Sequence, residues 1–184
     1  MKCWGWNSMG SLGTGSTSET ELVPVDVVGL QSGVIAIATG TLHTCALTRK
    51  GGVMCWGQGW SGALGNGKPV NSSVPVIVPG LESGVVAIAA GTYSTCAITS
   101  AGAAACWGQN ERGALGDGTT TKRLVPTPVW GLGSDVLSIS TSGDHTCART
   151  LSGGALCWGL NTGGQVGDGT TVDRLVPTPV VNFP

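Results

Sequence analysis

Apolar residues fall in short runs of five or six along the whole chain, and no segment of ten carries the three-to-four spacing of an amphipathic helix. Residues 55–105 show the pattern. After Cys55-Trp-Gly57, the glycine-rich run Gln58 to Gly67 has no periodicity and reads as a loop. Val74-Pro-Val-Ile-Val-Pro79 is extended, because proline and the residue before it resist helix, and the proline within it marks an edge strand. Gly80 to Gly84 is a turn cluster, and Val85-Val-Ala-Ile-Ala-Ala90 is apolar on both alternating faces, as in a strand buried on both sides. Thr95 to Thr99 and Ala103 to Trp107 are two further strands, joined by a hairpin turn at Ser100-Ala-Gly102.

The four-strand pattern recurs. Cys-Trp-Gly stands at residues 3, 55, 106 and 157, so the units are 52, 51 and 51 residues long. A period in this range marks a repeat architecture whose units bury their apolar faces against one another. The whole chain, 1–184, reads as a single array with units of about 3–54, 55–105, 106–156 and a partial 157–184. Short strands without helices predict an all-β fold, and a radial array of four-stranded sheets fits it. Grouping strands by the longest loops places complete blades at about Leu22–Gly57, Val74–Gly108 and Leu124–Gly159, with orphan strands at Met1–Gly5 and Leu175–Val181. The expected fold is a partial, open β-propeller of about three blades plus orphan terminal strands. On that grouping, two chains closing a seven-blade ring would lack the two middle strands of the seventh blade.

Two motifs give the units a family likeness. Trp107-Gly-Gln-Asn-Glu-Arg-Gly-Ala-Leu-Gly-Asp-Gly118 is followed by Leu124-Val-Pro126, and Gly40-Thr-Leu-His-Thr-Cys-Ala-Leu-Thr48 stands near the end of the first unit. The pattern resembles the regulator of chromosome condensation repeat over nearly the entire chain. The resemblance implies a seven-bladed propeller in the complete family fold, against which this chain carries about three and a half repeats and reads as a segment of a longer array. An arc that leaves blade faces exposed at both ends is expected to self-associate through its blade edges or to be marginally stable.

Composition narrows the function classes. Charged residues are 10% of the chain and mean hydropathy is +0.24, yet no apolar run approaches the roughly 20 residues of a membrane-spanning helix. Net charge is -1 and the nine basic residues are scattered, so no nucleic-acid footprint is visible. The start, Met1-Lys-Cys-Trp-Gly-Trp6, has no apolar segment of the secretory kind.

Six of the seven cysteines form three pairs ten residues apart: Cys45 with Cys55, Cys96 with Cys106, and Cys147 with Cys157. A hairpin turning at Arg49-Lys-Gly51 sets Cys45 opposite Cys55, within the Cα separation that a disulfide needs. The alternative is a pair of reduced, buried thiols. Cys3 occupies the second position of a pair whose first member would lie upstream of residue 1. Disulfides imply an oxidising compartment, so the expected setting is extracellular or cell-surface with a truncated start; the alternative is cytoplasmic.

No catalytic constellation stands out. His43 and His145 hold equivalent places in the first and third units, with Ser94 at that place in the second, and such positions need not converge. The simpler reading is a ring bonded to backbone within its own blade. Asp117-Gly-Thr and Asp168-Gly-Thr fit turn chemistry better than a calcium loop, which needs six to eight oxygens. No cofactor or metal is expected, and the chain is read as a non-enzyme.

Binding residues are sought where the units differ. Trp4, Trp56, Trp107 and Trp158 recur and read as packing between blades, whereas Trp6, Trp60 and Trp130 do not recur. Trp6 and Trp60 lie in the loop after Cys-Trp-Gly, and Glu111 and Arg112 share that loop of the next unit; with Tyr93, from the variable Leu42/Tyr93/Asp144 position, they form the expected partner-binding set. The sequence does not place the two variable loops on one face. The favoured function is a non-enzymatic, protein-binding scaffold. The resemblance supports it, since secreted relatives include inhibitors that bind through loop aromatics, and it also implies the alternative, a guanine nucleotide exchange regulator of a small GTPase. A plant-type ultraviolet photoreceptor needs Gly-Trp-Arg-His-Thr runs, which here read Gly40-Thr-Leu-His-Thr44, Gly91-Thr-Tyr-Ser-Thr95 and Ser142-Gly-Asp-His-Thr146.

Overall fold

Fourteen strands and one short 3-10 turn account for the regular structure of the computed structural model, which describes residues 1–183. Three antiparallel four-stranded blades follow one another. The first contains β3 (Val34–Thr39), β4 (His43–Thr48), β5 (Val53–Gly57) and β6 (Ser72–Ile77). The second contains β7 (Val85–Ala90), β8 (Ser94–Thr99), β9 (Ala104–Gly108) and β10 (Arg123–Pro128), and the third β11 (Val136–Thr141), β12 (His145–Thr150), β13 (Ala155–Gly159) and β14 (Arg174–Pro179). Ahead of them, β1 (Lys2–Trp6) and β2 (Thr20–Asp26) pair alone as a half-blade. No helix among the described residues is long and apolar enough to cross a membrane.

The all-β open array is as the sequence predicts, but the strands group differently. The Val-Pro strand closes the blade of the Cys-Trp-Gly strand before it: Gly57 faces Ser72, and Gly108 faces Arg123. The long loop therefore returns to its own sheet, and the short connection around Gly80–Gly84 crosses to the next blade. The reason is visible in Pro75 and Pro126, which donate no hydrogen bond and so belong on an outer edge. The half-blade accordingly lacks its inner pair of strands, and no orphan strand remains at the C-terminal end.

Burial also departs from expectation in one strand. β7 has the expected bounds, but Val86 is 56% exposed, because β3, β7 and β11 are the innermost strands and one face of each is open. The strand buried on both faces is the second: Ser94, Thr95, Cys96, Ala97 and Ile98 are all buried. The core lies between blades rather than within them. Leu47, Val53, Leu64, Val78 and Leu81 of the first blade meet Val85, Ala97 and Trp107 of the second, and the same arrangement joins the second blade to the third.

Each expected cysteine pair is closed into a disulfide across its hairpin, with Cα atoms 4.1 Å apart at Cys45–Cys55, Cys96–Cys106 and Cys147–Cys157. Cys3 is the free cysteine, half-buried, and burial pushes its thiol pKa up against the smaller opposite pull of the N-terminal ammonium.

Candidate loop-face binding site

The joint between blades fixes where the loops go. The glycine-rich loop of each unit reaches over the next blade, and a backbone carbonyl of that loop accepts the indole N–H of the next blade's recurring tryptophan. Trp56 bonds Ser11 O at 2.9 Å, Trp107 bonds Ala63 O at 2.8 Å and Trp158 bonds Ala114 O at 2.8 Å. The second proton donor to each carbonyl is a threonine hydroxyl, from Thr44, Thr95 or Thr146, at 2.9 Å. Glycine is required beneath the ring: a methyl group at Gly65 or Gly116 would lie 2.6 Å from the indole nitrogen. Trp56, Trp107 and Trp158 are wholly buried, as their recurrence predicts. Trp4 does not follow, being 61% exposed, since no loop covers it.

Three of the four loops are clamped from inside by a buried asparagine, the first by Asn7, which accepts the Leu12 N–H and donates to Ser16 O. Asn110 accepts the Leu115 N–H and donates to Thr119 O and Thr121 O, and Asn161 does the same for Val166, Thr170 and Val172. Asp117 and Asp168 sit in these clamps as the turn residues the sequence suggested. Burial raises the Asp117 carboxyl, but hydrogen bonds from Thr119 and Arg123, with the charge of Arg123, outweigh it and hold the pKa low. For Asp168 the Thr170 hydroxyl bond leads, and with Arg174 it overcomes the opposing desolvation, so this carboxyl is also held below the usual range. The loop of 58–71 is built differently. Gly59 stands where the others have asparagine, its N–H is held by Asn71 Oδ1 at 3.0 Å, and the Gln58 side chain is buried instead with its Nε2 unpartnered.

This divergent loop presents Trp60, half-exposed at 50%, and it lies beside the β7–β8 turn of the next blade. There the Trp60 and Tyr93 rings meet with centroids 5.6 Å apart and planes tilted by 41°. The two variable positions therefore share one face, a point the sequence left open. Lys122, from the following loop, donates to Trp60 O at 3.2 Å and places an ammonium next to the aromatic pair. Glu111 and Arg112 are exposed in the same loop as Lys122, and Arg112 reaches Asp173 at 3.5 Å, in the loop after that. Trp6 is not part of this cluster. It is 64% exposed and lines a separate open cleft of about 390 Å³ with Trp4, Ile37 and His43, between the free edge of β1 and the first complete blade. Trp130 is exposed as well, at the connection after β10.

Of the two histidines, His43 is a joint residue. His43 is buried, and because Thr95 spends its hydroxyl proton on Ala63 O, the His43 Nε2–H must donate to Thr95 Oγ1, at 2.9 Å. The partner is thus a side chain of the next blade, rather than backbone of its own, because the second strand of each blade turns this residue into the joint. Burial lowers the His43 pKa to about 4, leaving a neutral ring with an unpartnered Nδ1. His145, in the last blade, has no following blade and only a 3.5 Å contact with Ser142.

The profile of the Regulator of chromosome condensation (RCC1) repeat matches residues 3–47, 50–98, 102–149 and 152–184. The chain belongs to the RCC1 repeat family. Among RCC1-type relatives it is 37% identical over 173 residues to the human E3 ubiquitin-protein ligase HERC2, covering 91% of this chain and 4% of that protein. It is 34% identical over 187 residues to the Arabidopsis thaliana ultraviolet-B receptor UVR8, covering all of this chain and 42% of the receptor. The chain thus spans less than half the length of these relatives. Among solved structures, human WBSCR16 superimposes with a TM-score of 0.83 at 25% identity, over 97% of this chain and 48% of that one. Yeast RCC1 (Prp20), in its complex with Kap60, superimposes with a TM-score of 0.82 at 23% identity, over 98% and 44%, and shares the propeller fold.

Proposed function

We infer that this RCC1-repeat array is a non-enzymatic scaffold that binds another protein through its loop face, with Trp60 and Tyr93 as the anchor. The observation that carries this reading is the exposed aromatic pair itself. It joins the two positions at which the units differ, on a loop that departs from the internal clamp of its neighbours. Rigid aromatics flanked by a lysine and a Glu-Arg pair have the composition of an interface hot spot with a polar rim. The three disulfides support an oxidising, extracellular or cell-surface setting for that partner.

The test compares the wild-type chain with Trp60→Ala and Tyr93→Ala in capture from an extracellular protein pool, followed by titration of the captured partner. Each substitution is expected to weaken binding at least tenfold while leaving the melting temperature unchanged. A partner held equally well by both variants overturns the reading. The second reading, nucleotide exchange, rests on the name-giving propeller of the family, whose yeast member has been described for its binding properties to Gsp1p and histones. Release of fluorescent GDP from a small GTPase distinguishes the two: acceleration by this chain favours exchange, and an unchanged rate favours the scaffold.

A further inference from the structure

The chain has six asparagines, and one of them opens Asn71-Ser72-Ser73, an Asn-x-Ser sequence of the kind that accepts N-linked sugar. The other five, Asn7, Asn66, Asn110, Asn161 and Asn182, have no serine or threonine two places on. Asn7, Asn110 and Asn161 are the buried clamps of their loops, whereas Asn71 is exposed at the end of the loop that lacks the clamp, immediately before β6. The acceptor sequence therefore falls in the loop that presents Trp60.

The fold asks only for the oxygen of Asn71. Its Oδ1 accepts the Gly59 N–H at 3.0 Å. Asn71 precedes Ser72, which faces Gly57, and in the last unit Asp173 precedes Arg174, which faces Gly159. There Asp173 Oδ1 accepts the Asn161 N–H at 2.8 Å, so a carboxylate does the same work as the amide. The second unit has Lys122 at this place, and the repeat does not demand asparagine. Among the described residues Asn71 Nδ2 donates to the thioether of Met9 alone, at 3.2 Å, and such a sulfur is a weak acceptor. Ser73 accepts the Gly15 N–H through its carbonyl at 2.9 Å, while its hydroxyl has no hydrogen-bond partner among the described residues. The two groups that define an acceptor, the Asn71 amide nitrogen and the Ser73 hydroxyl, are thus groups that the fold leaves free.

Building on the extracellular reading of the disulfides, we propose that Asn71 is a site of N-linked glycosylation. The co-reactant is a lipid-diphosphate-linked oligosaccharide, met by the chain before it folds. Asn71 Nδ2 attacks the anomeric carbon, the N–C bond forms and the C–O bond to the diphosphate breaks. The lipid diphosphate leaves with the electron pair, and Nδ2 gives up one proton. Oδ1 is untouched, so folding restores its bond to the Gly59 N–H while the sugar leaves through the exposed nitrogen. The glycan has a defined side: Asn71 adjoins Met9 of the preceding loop, whereas Tyr93 and Lys122 flank Trp60 from the following blade and loop. It stands over Met9, which is otherwise 41% exposed, on the side of the loop away from the Tyr93 ring.

The experiment passes the 184-residue chain, behind a cleavable leader, through a eukaryotic secretory pathway and collects it from the medium, beside Asn71→Asp and Ser73→Ala. Asn71→Asp copies the residue of the last unit and keeps an acceptor for the Gly59 N–H; Ser73→Ala removes only the idle hydroxyl. The wild-type chain is expected to carry one N-glycan, and peptide N-glycosidase in heavy-oxygen water to leave a labelled aspartate at residue 71. Neither variant is expected to carry sugar, and both are expected to melt within about 2 °C of the wild-type glycoform. A secreted, disulfide-bonded wild-type chain without sugar overturns the proposal. So does a glycan that persists in either variant, or a glycoform that melts well below its enzymatically deglycosylated product. The extracellular reading fails by a different result: seven reduced cysteines in the chain isolated from its native source refute that setting, whereas disulfides there with Asn71 bare refute the glycan alone.

Discussion

The recurring tryptophan makes the same substitution mean opposite things at two places in one chain. Trp107 is wholly buried, stands on Gly65 and donates to Ala63 O, whereas Trp4 holds the same place in its unit and is 61% exposed. Replacing Trp107 with alanine removes a fully buried indole and opens a cavity at the joint of the first and second blades, for which about 3 to 5 kcal/mol is expected. The lost hydrogen bond adds little, because Ala63 O keeps the Thr95 hydroxyl at 2.9 Å and is not orphaned. At the scale of a domain this size, that loss lowers the melting temperature by roughly 6 to 20 °C. Trp4→Ala removes no buried contact within the chain and is expected to stay within about 0.5 kcal/mol. Urea unfolding followed by circular dichroism, at a concentration where the chain is monomeric, measures both. Equal losses at the two sites, or a Trp107 loss under 1 kcal/mol, would refute the view that the joint rather than the blade holds the core.

Three other outcomes follow from the same geometry. His43 has a folded pKa of about 4 against an ordinary 6.5, so the unfolded state takes up the proton first as pH falls; its contribution is complete above pH 6.5 and lost on the way down to about 4, by roughly 3 kcal/mol. Urea midpoints across that range should show the fall, and His43→Ser, which copies the residue of the next unit, should flatten it. Each disulfide closes a loop with a sequence separation of 10, and Cys96→Ser/Cys106→Ser should cost about 2 to 3 kcal/mol; alkylation mass shifts with and without prior reduction check the pairing, expected to leave Cys3 as the one reactive thiol. Asn110→Ala should destabilise by about 1 to 3 kcal/mol, because the Leu115 N–H it accepts is buried, and a melting temperature unchanged within 1 °C would refute the clamp.

The period, the strand content, the cysteine pairing and the blade-packing tryptophans were legible in the sequence, because each is a local pattern copied at a fixed interval. Hairpin spacing alone sets Cys45 against Cys55, and glycine and proline alone punctuate the strands. What the sequence misassigned was the order in which strands join sheets. The longest loop looked like a boundary, yet it folds back on its own blade, and only the three-dimensional return of Ser72 to Gly57 decides that. Burial was likewise a tertiary matter. Trp4 and Trp107 are the same letter in the same motif, separated by whether a loop of the described residues covers them. The variable residues Trp60 and Tyr93, 33 positions apart in the chain, were picked out as candidates by comparison of units. That their rings touch across a blade boundary follows from the radial stacking of the sheets, which no local pattern encodes.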